Sequence, residues 1–250
     1  MVITKNWETG GGAVTITYDG DGDGTISVSS DVNSGAPRQM VLAVSNDYGQ
    51  SVDLTVKQEG AFIPVEYLES DGENVMYIVT DYVPSGDKIS YETKFKWDGY
   101  NGTNTYIRFF AARTSTSTQG FQLWRFSDRA NRVQVYCGQR GQSSYGNAYD
   151  LTAGHIYTLK CTPTTYNFNG ATRTFDDPVY ATLNTYKMYL WPKSGLIYLR
   201  YYYFKMWDDG VLKLDLIPVR VGNVGYMYDR VTGNLYGNSG SGNFIIGPDL

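Results

Sequence analysis

Apolar and polar residues alternate with a period of two along much of the chain, which is typical of strands with one buried face. The clearest case is YYYFKMWDDGVLKLDLIPVR, residues 201–220. Phe204 and Met206 alternate there with Lys205, and the pair Asp209-Gly210 suits a two-residue hairpin turn. The pattern therefore predicts a hairpin with one dry face, which must lie on a second sheet to be buried.

The two faces of this hairpin have different predicted roles. We expect Pro218 to end the returning strand, because proline cannot donate a hydrogen bond to a sheet. The opposite face is predicted to contact a partner or a sugar, and it carries Tyr201, Tyr203 and Trp207. The dry face is predicted to be core and comprises Phe204, Met206, Leu212, Leu214 and Leu216.

Similar runs recur along the rest of the chain between turn signals such as Asn169-Gly170, and no long segment has a helical period. Residues 1–60 have the strand spacing of a small sandwich. Residues 61–64 are a linker stiffened by Pro64, and residues 65–250 form a larger sandwich. Strands are predicted over residues 13–18, 25–29, 40–44, 51–56, 88–97, 105–112, 120–126, 132–137, 155–162, 164–169, 171–175, 187–190, 197–207 and 211–217.

The segment GNSGSGNF, residues 237–244, is rich in glycine and serine. We predict that it is an ordered turn followed by a short strand. Phe244 and Ile246 would anchor this strand and so close the larger unit.

Composition narrows the functional classes. The 23 tyrosines and 28 glycines suit sheets and tight turns. The net charge of −4 argues against a general nucleic-acid binder, and no apolar run has the length of a membrane span. The opening MVITKNWETGGG lacks the apolar core of a signal peptide. Together with Met1, this favours a protein that stays in the cell that makes it over an exported one.

Cys137 and Cys161 each end a strand-like run. Adjacent antiparallel strands would bring them together, but two cysteines do not make a disulfide scaffold. Two ordinary, partly buried thiols are the simpler interpretation.

Three motifs raise metal or catalytic chemistry and have simpler interpretations. Asp19, Asp21 and Asp23 match the start of a calcium loop, but the twelfth position is Ser30 and a hairpin tip explains the charges. Glu69-Ser70-Asp71-Gly72-Glu73 matches the spacing of a glycosidase carboxylate strand, but its serine and glycine mark a turn. The single histidine, His155, has neither a serine elbow nor ligand spacing around it.

Aromatic residues next to amides are the remaining candidates for a binding site. Sugar rings present apolar faces that stack on tryptophan and tyrosine, and amides bind the hydroxyl groups. Trp124 and Trp191 lie in strand-like contexts and are expected to be core. The candidate glycan-binding residues are Trp97, Tyr100 and Asn101 at one predicted exposed turn, Tyr145 and Asn147 at another, and Tyr203 and Trp207 on the hairpin.

Four segments resemble parts of known families. YLESDG and TDYVP, within residues 67–84, together with the segment 201–250, resemble the opening and closing segments of concanavalin A-like (LamG-type) jelly-roll domains of gut Bacteroides proteins and their phages. The stretch from Arg38 to Gly60, which closes with VDLTVKQEG, is similar to the end of BACON domains, which are immunoglobulin-like modules of Bacteroides surface proteins and related phages. The version here is short and lacks the family's tryptophan-containing strand, which favours a spacer, docking or oligomerisation role.

The resemblances imply an all-β protein with an immunoglobulin-like sandwich followed by a concanavalin A-like jelly roll. The first functional hypothesis is a non-enzymatic virion surface protein of a gut bacteriophage: a head fibre, capsid decoration or tail appendage. It would form homo-oligomers, assemble with virion partners and bind a cell-surface glycan, with no cofactor. The alternative is an exported bacterial surface protein that binds carbohydrate.

Overall fold

The computed structural model describes residues 2–7, 14–19, 25–30, 33, 35, 38–45, 48–58, 60–100, 106–113, 120–126, 132–137, 149–175, 185–193 and 195–250. Over these residues the chain forms strands and turns and no helix, and therefore no described helix is long and apolar enough to cross a membrane. The chain divides into two compact units, Met1–Ile63 and Pro64–Leu250.

The described residues of the smaller unit form two antiparallel sheets. The first is three-stranded in the order β1-β4-β5, so β4 is central, and the second is the hairpin β2-β3. Met40 and Leu42 on β4 are fully buried. The strands are β1 (Val2–Trp7), β2 (Val14–Asp19), β3 (Thr25–Ser30), β4 (Arg38–Ser45) and β5 (Ser51–Gln58).

In the larger unit the described residues form two antiparallel sheets, and the short strand β6 (Ile63–Pro64) spans the boundary at which this unit begins. A six-stranded sheet has the order β13-β12-β11-β10-β17-β8. Its strands are β8 (Ile78–Val79), β10 (Tyr106–Arg113), β11 (Gly120–Phe126), β12 (Arg132–Tyr136), β13 (Tyr149–Asp150) and β17 (Tyr189–Leu190).

The second, large sheet has the main order β16-β15-β14-β9-β18-β19-β20-β21, and β7 pairs with both β18 and β22. Its strands, besides β6, are β7 (Leu68–Glu69), β9 (Ile89–Tyr100), β14 (His155–Cys161), β15 (Thr165–Phe168), β16 (Ala171–Thr174), β18 (Ile197–Asp208), β19 (Val211–Val221), β20 (Val224–Asp229), β21 (Leu235–Tyr236) and β22 (Ile245–Ile246).

The inner faces of the two sheets pack against each other. Phe110 of the six-stranded sheet lies with its ring centroid 5.1 Å from Tyr91 and 5.0 Å from Phe204 of the large sheet. The Tyr201 hydroxyl donates to the Phe109 carbonyl at 2.9 Å, which links the sheets by a buried hydrogen bond. The predicted all-β sandwich fold is therefore confirmed, and Trp124 and Trp191 are buried as predicted.

The tight turns predicted from sequence are present. Asp209 and Gly210 have φ values of 46° and 78° between the paired ends Asp208 and Val211. Asn169 and Gly170 have φ values of 48° and 85° and join β15 to β16. Positive φ at both central residues is the geometry that matches the twist of a two-residue hairpin.

The predicted faces of β18 are wrong at Tyr201, because a β-bulge interrupts the alternation. Tyr201 pairs with Phe95 and Tyr203 pairs with Lys94, so Tyr202 is an extra residue. Tyr201 is consequently fully buried, whereas Tyr202 and Tyr203 are both partly exposed. Beyond the bulge, Phe204 and Met206 point into the core as predicted.

The returning strand β19 also departs from the prediction. Met206 pairs with Leu214 and Trp207 with Leu212, so Lys213 is a second extra residue. Leu214 and Leu216 are fully buried, but Leu212 lies beside Trp207 and is only half-buried. Nor does Pro218 end the strand. It pairs with Met227 on β20. Its carbonyl accepts a hydrogen bond from the Val65 amide at 3.1 Å, and the missing proline N–H does not prevent this contact.

The closing segment is ordered as predicted. Phe244 is buried in the core, and Ile246 packs against it while pairing with Leu68. The same segment lies beside the beginning of the larger unit, since the Leu250 amide donates to the Pro64 carbonyl at 3.0 Å. Val65 and Asp249 form a further isolated bridge.

Both cysteines are buried thiols that form no disulfide. Cys137 directly follows β12 of the six-stranded sheet, and Cys161 ends β14 of the large sheet. The Cys137 sulfur lies 3.2 Å from the Ile89 carbonyl oxygen and donates to it. The strands that carry the two cysteines belong to different sheets and are not neighbours.

Candidate ligand groove

The outer face of the large sheet carries a groove with a volume of about 500 Å³. It crosses β9, β14, β15, β16 and β18. Most of its lining side chains bear a hydroxyl, an amide or a charge. The lining residues are Glu92, Thr158, Leu159, Lys160, Thr162, Thr165, Asn167, Thr172 and Tyr203.

Strand alternation explains why the groove is polar. In β14 the side chains of Tyr157, Leu159 and Cys161 are buried, so Thr158 and Lys160 point outward. Cross-strand pairing then places Lys160 between Asn167 on β15 and Glu92 on β9. Polar positions that are far apart in sequence thus form one row across the sheet.

Glu92 and Tyr203 are joined by a hydrogen bond within the groove. The Tyr203 hydroxyl donates to Glu92 Oε1 at 2.9 Å, while Lys160 Nζ lies 4.0 Å from Glu92 Oε2. Burial of the ring, with the hydrogen bond and the charge of Glu92, raises the pKa of Tyr203 to about 12. Tyr203 therefore remains a neutral donor at physiological pH, and one oxygen of Glu92 stays close to a cation.

The other wall of the groove consists of hydroxyl and amide groups. Asn167 Nδ2 donates to Thr172 Oγ1 at 2.7 Å, and the Thr162 and Thr165 hydroxyl oxygens lie 2.9 Å apart. These bonds orient the side chains and leave further lone pairs and protons that face solvent. The wall therefore offers both donors and acceptors to a ligand.

The described lining contains one carboxylate, Glu92, and one cation, Lys160. Hydrolysis of a glycosidic bond by the usual route uses a pair of carboxylates that flank the bond. The arrangement therefore suits recognition of a hydroxyl-rich ligand by hydrogen bonds and by contact with the Tyr203 ring.

The predicted hairpin residues Tyr203 and Trp207 both lie on the outer face. Tyr203 lines the groove, whereas Trp207 lies further along β18, opposite Ser90, and is not among the lining residues. The prediction that Trp97 is exposed at a turn is wrong. β9 continues to Tyr100, and Trp97 is an inward-facing strand residue with 4% of its surface exposed.

Tyr100 is the last residue of β9, where it pairs with Ile197 and packs partly against the core. The structure does not bring it to the groove. The candidates Asn101, Tyr145 and Asn147 lie outside the described residues, as do Asp21 and Asp23 of the aspartate repeat.

The carboxylates of the Glu69-to-Glu73 motif do not share a strand. Glu69 ends β7 and forms a 2.7 Å ion pair with Arg200. Asp71 accepts hydrogen bonds from the Glu73 and Asn74 amides, which makes the predicted turn. Burial raises the pKa of Asp71, but the bonds from Asn74 and Glu73 outweigh it and hold that pKa below its usual value.

No metal centre is visible in the part of the chain that the structure describes, since no three histidine, cysteine, aspartate or glutamate side chains come together there. His155 begins β14 opposite Trp97 and is exposed. It contributes nothing to the groove.

Comparisons with protein-family models, with curated proteins and with solved structures find no match to this chain. The structure itself defines the class of protein: an all-β sandwich with a polar groove on the outer face of its larger sheet.

Sequence reasoning identified Tyr203 but missed the rest of the groove. Glu92, Lys160, Asn167 and Thr172 occupy outward positions on separate strands, so no local motif joins them. A signal was available between Thr158 and Thr174, where threonine and asparagine residues are frequent. Many of them fall on the predicted outward-facing positions of the strands.

Proposed function

We propose that the protein is a non-enzymatic surface attachment protein whose larger unit binds a glycan in the groove. The observation that carries the proposal is the lining of the groove, which combines threonine hydroxyls, Asn167, Lys160 and Glu92 with the side chain of Tyr203. A volume of about 500 Å³ falls within the range of small-ligand sites.

The chemistry of the lining favours saccharides over apolar ligands. Each sugar hydroxyl both donates and accepts, and the groove supplies fixed groups of both kinds. The Tyr203 hydroxyl donates to Glu92 Oε1 at 2.9 Å, which fixes the side chain. The neutral ring offers an apolar surface for a sugar face. In the described lining Glu92 is the one carboxylate, and its pairing with Tyr203 and Lys160 supports binding rather than cleavage.

The test is a glycan array covering plant, host and bacterial capsular polysaccharides, followed by calorimetry on any glycan bound. Tyr203→Ala and Asn167→Ala should each weaken binding by about tenfold, because they remove the ring contact or a hydrogen-bonding group. Tyr186→Ala is the matched control, since Tyr186 is 47% exposed but does not line the groove. No binding across the array, or binding that survives both groove variants, would contradict the proposal.

The setting that we propose is the surface of a bacteriophage virion, and it rests on the sequence resemblances described above. Mass spectrometry of purified virions from a producing host should detect the chain. Recovery only from the cell envelope of a bacterium would instead support the exported carbohydrate-binding protein.

A further inference from the structure

The edge strand β5 of the smaller unit has an exposed apolar row. It pairs with β4 on one side, and no described strand pairs with its other edge. Val52 and Leu54 are 56% and 41% exposed although they lie opposite Val44 and Leu42. An exposed edge with apolar side chains is a template for pairing with another strand.

The sequence of β5, SVDLTVKQ, is complementary to itself when read in the opposite direction. If a second copy pairs antiparallel and Thr55 lies opposite its own equivalent, Asp53 of each copy faces Lys57 of the other. In the same register Leu54 faces Val56. Because opposite residues of an antiparallel pair share a face, the two apolar rows then become continuous.

Neighbouring registers lack the match between unlike charges. A two-fold axis at Leu54 would put Asp53 opposite Thr55, and an axis at Val56 would put Asp53 opposite Glu59. Charges on an edge strand ordinarily prevent pairing. On β5 their order instead favours one register, with two unlike pairs in a symmetric dimer.

We propose that two copies of this chain associate by antiparallel pairing of their β5 strands about a two-fold axis at Thr55. The interface is isologous, so each contact occurs twice. The edge hydrogen bonds and the apolar row supply the attraction, and the pairs of Asp53 with Lys57 set the register.

Charge reversal in the full-length chain tests this register. Sedimentation velocity over a range of concentrations should show a monomer–dimer equilibrium for the unaltered protein. D53K places two lysine pairs across the interface and K57D places two aspartate pairs, so each variant alone should dimerise about tenfold more weakly. Exposed charge pairs are screened by salt, so raising the ionic strength should narrow these differences.

Mixing the two variants provides the decisive control. In a heterodimer of D53K with K57D both charge pairs are again unlike, so the mixture should regain dimers that neither variant forms well alone. The double variant D53K/K57D should likewise dimerise as the unaltered chain does. Unchanged circular dichroism would show that each variant is folded.

Three results would overturn the proposal. They are an unaltered chain that is monomeric at every concentration, single variants that dimerise normally, and a mixture that fails to form heterodimers. The first would leave β5 as an unused edge, and the others would move any dimer interface elsewhere. None of these results bears on glycan binding by the groove, which belongs to the larger unit.

Discussion

At the scale of single residues, the larger unit depends on buried acceptors that hold backbone amides. Asp229 is fully buried and accepts hydrogen bonds from the amides of Asp215 and Val231, while its second oxygen accepts from the Thr232 hydroxyl at 2.8 Å. Asp215 in turn is held by Arg230 at 2.7 Å. One carboxylate therefore fixes the start of the turn after β20 to the middle of β19.

Replacing Asp229 should reveal this role in stability. Asp229→Ala leaves the buried Asp215 amide without its partner and should lower the free energy of unfolding by about 2 kcal/mol. Asp229→Asn retains an acceptor oxygen for both amides and should cost about half as much. Urea unfolding midpoints at an unchanged slope measure the effect. Equal losses in the two variants would show that the acceptor oxygen is not what matters.

At the scale of elements, bulges decide which face of a strand each residue occupies. The extra residue Tyr202 lets Tyr201 and Phe204 both point into the core, although three positions separate them. Thr93 stabilises the bulge, since its buried hydroxyl donates to the Tyr203 carbonyl at 2.8 Å. Tyr202 itself points outward, with Lys94 Nζ 4.6 Å from its ring centroid.

Deleting single residues from β18 should therefore have opposite outcomes. Without Tyr202, positions 201, 203, 204, 205 and 206 alternate regularly in the existing register with β9, so the protein should fold with a loss of about 1–2 kcal/mol. Without Lys205, the residues beyond it change faces, and Met206 leaves the core. Soluble yield and thermal unfolding would compare the two, and a Lys205 deletion as stable as the Tyr202 deletion would refute this account.

These bulges mark where sequence reasoning fails. Alternation predicted most strands, the faces of Leu214 and Leu216, and the turns at Asp209-Gly210 and Asn169-Gly170, because period and turn chemistry are local. In YYYF every residue suits either face, so nothing local identifies the extra one. Trp97 was misplaced for a related reason: β9 runs through a glycine that resembled a turn.

The groove was hidden from the sequence for a different reason. Its residues become neighbours only through the pairing of β14 with β9 and of β9 with β18. Pairing between strands distant in the chain depends on the whole fold. Tyr203 was identified because it lies in the hairpin whose outer face was predicted. No local sequence pattern around Glu92 or Asn167 indicates that they belong to a site.

At the scale of the whole molecule, tyrosine burial links stability to alkaline pH. Burial and the charge of Asp208 raise the pKa of Tyr82 to about 12, and burial raises the pKa of Tyr201 well above its usual value. Tyr203 behaves alike, with a pKa of about 12. Because the folded state holds these protons more tightly, their contribution is complete below pH 10 and is lost as the pH rises from 10 through about 12.

The urea midpoint should thus fall steeply above pH 10. Tyr82→Phe is the informative variant, because the Tyr82 hydroxyl is buried and has no hydrogen-bond partner among the described residues. It should leave stability at neutral pH within about 0.5 kcal/mol and make the alkaline decline shallower. An alkaline slope equal to that of the unaltered protein would contradict the assignment to Tyr82.

The pairing of β22 with β7 also has a consequence for biosynthesis. Val65 donates to the Pro218 carbonyl, but Pro64 and Val65 also pair with Leu250 and Asp249, so this part of the sheet cannot close until residues 249 and 250 have left the ribosome. During synthesis the edge of β7 that pairs with β22 stays unpaired until nearly the whole unit has been made. The larger unit should therefore complete its folding only after translation of residue 250, and ribosome-bound chains halted before residue 245 should remain sensitive to protease.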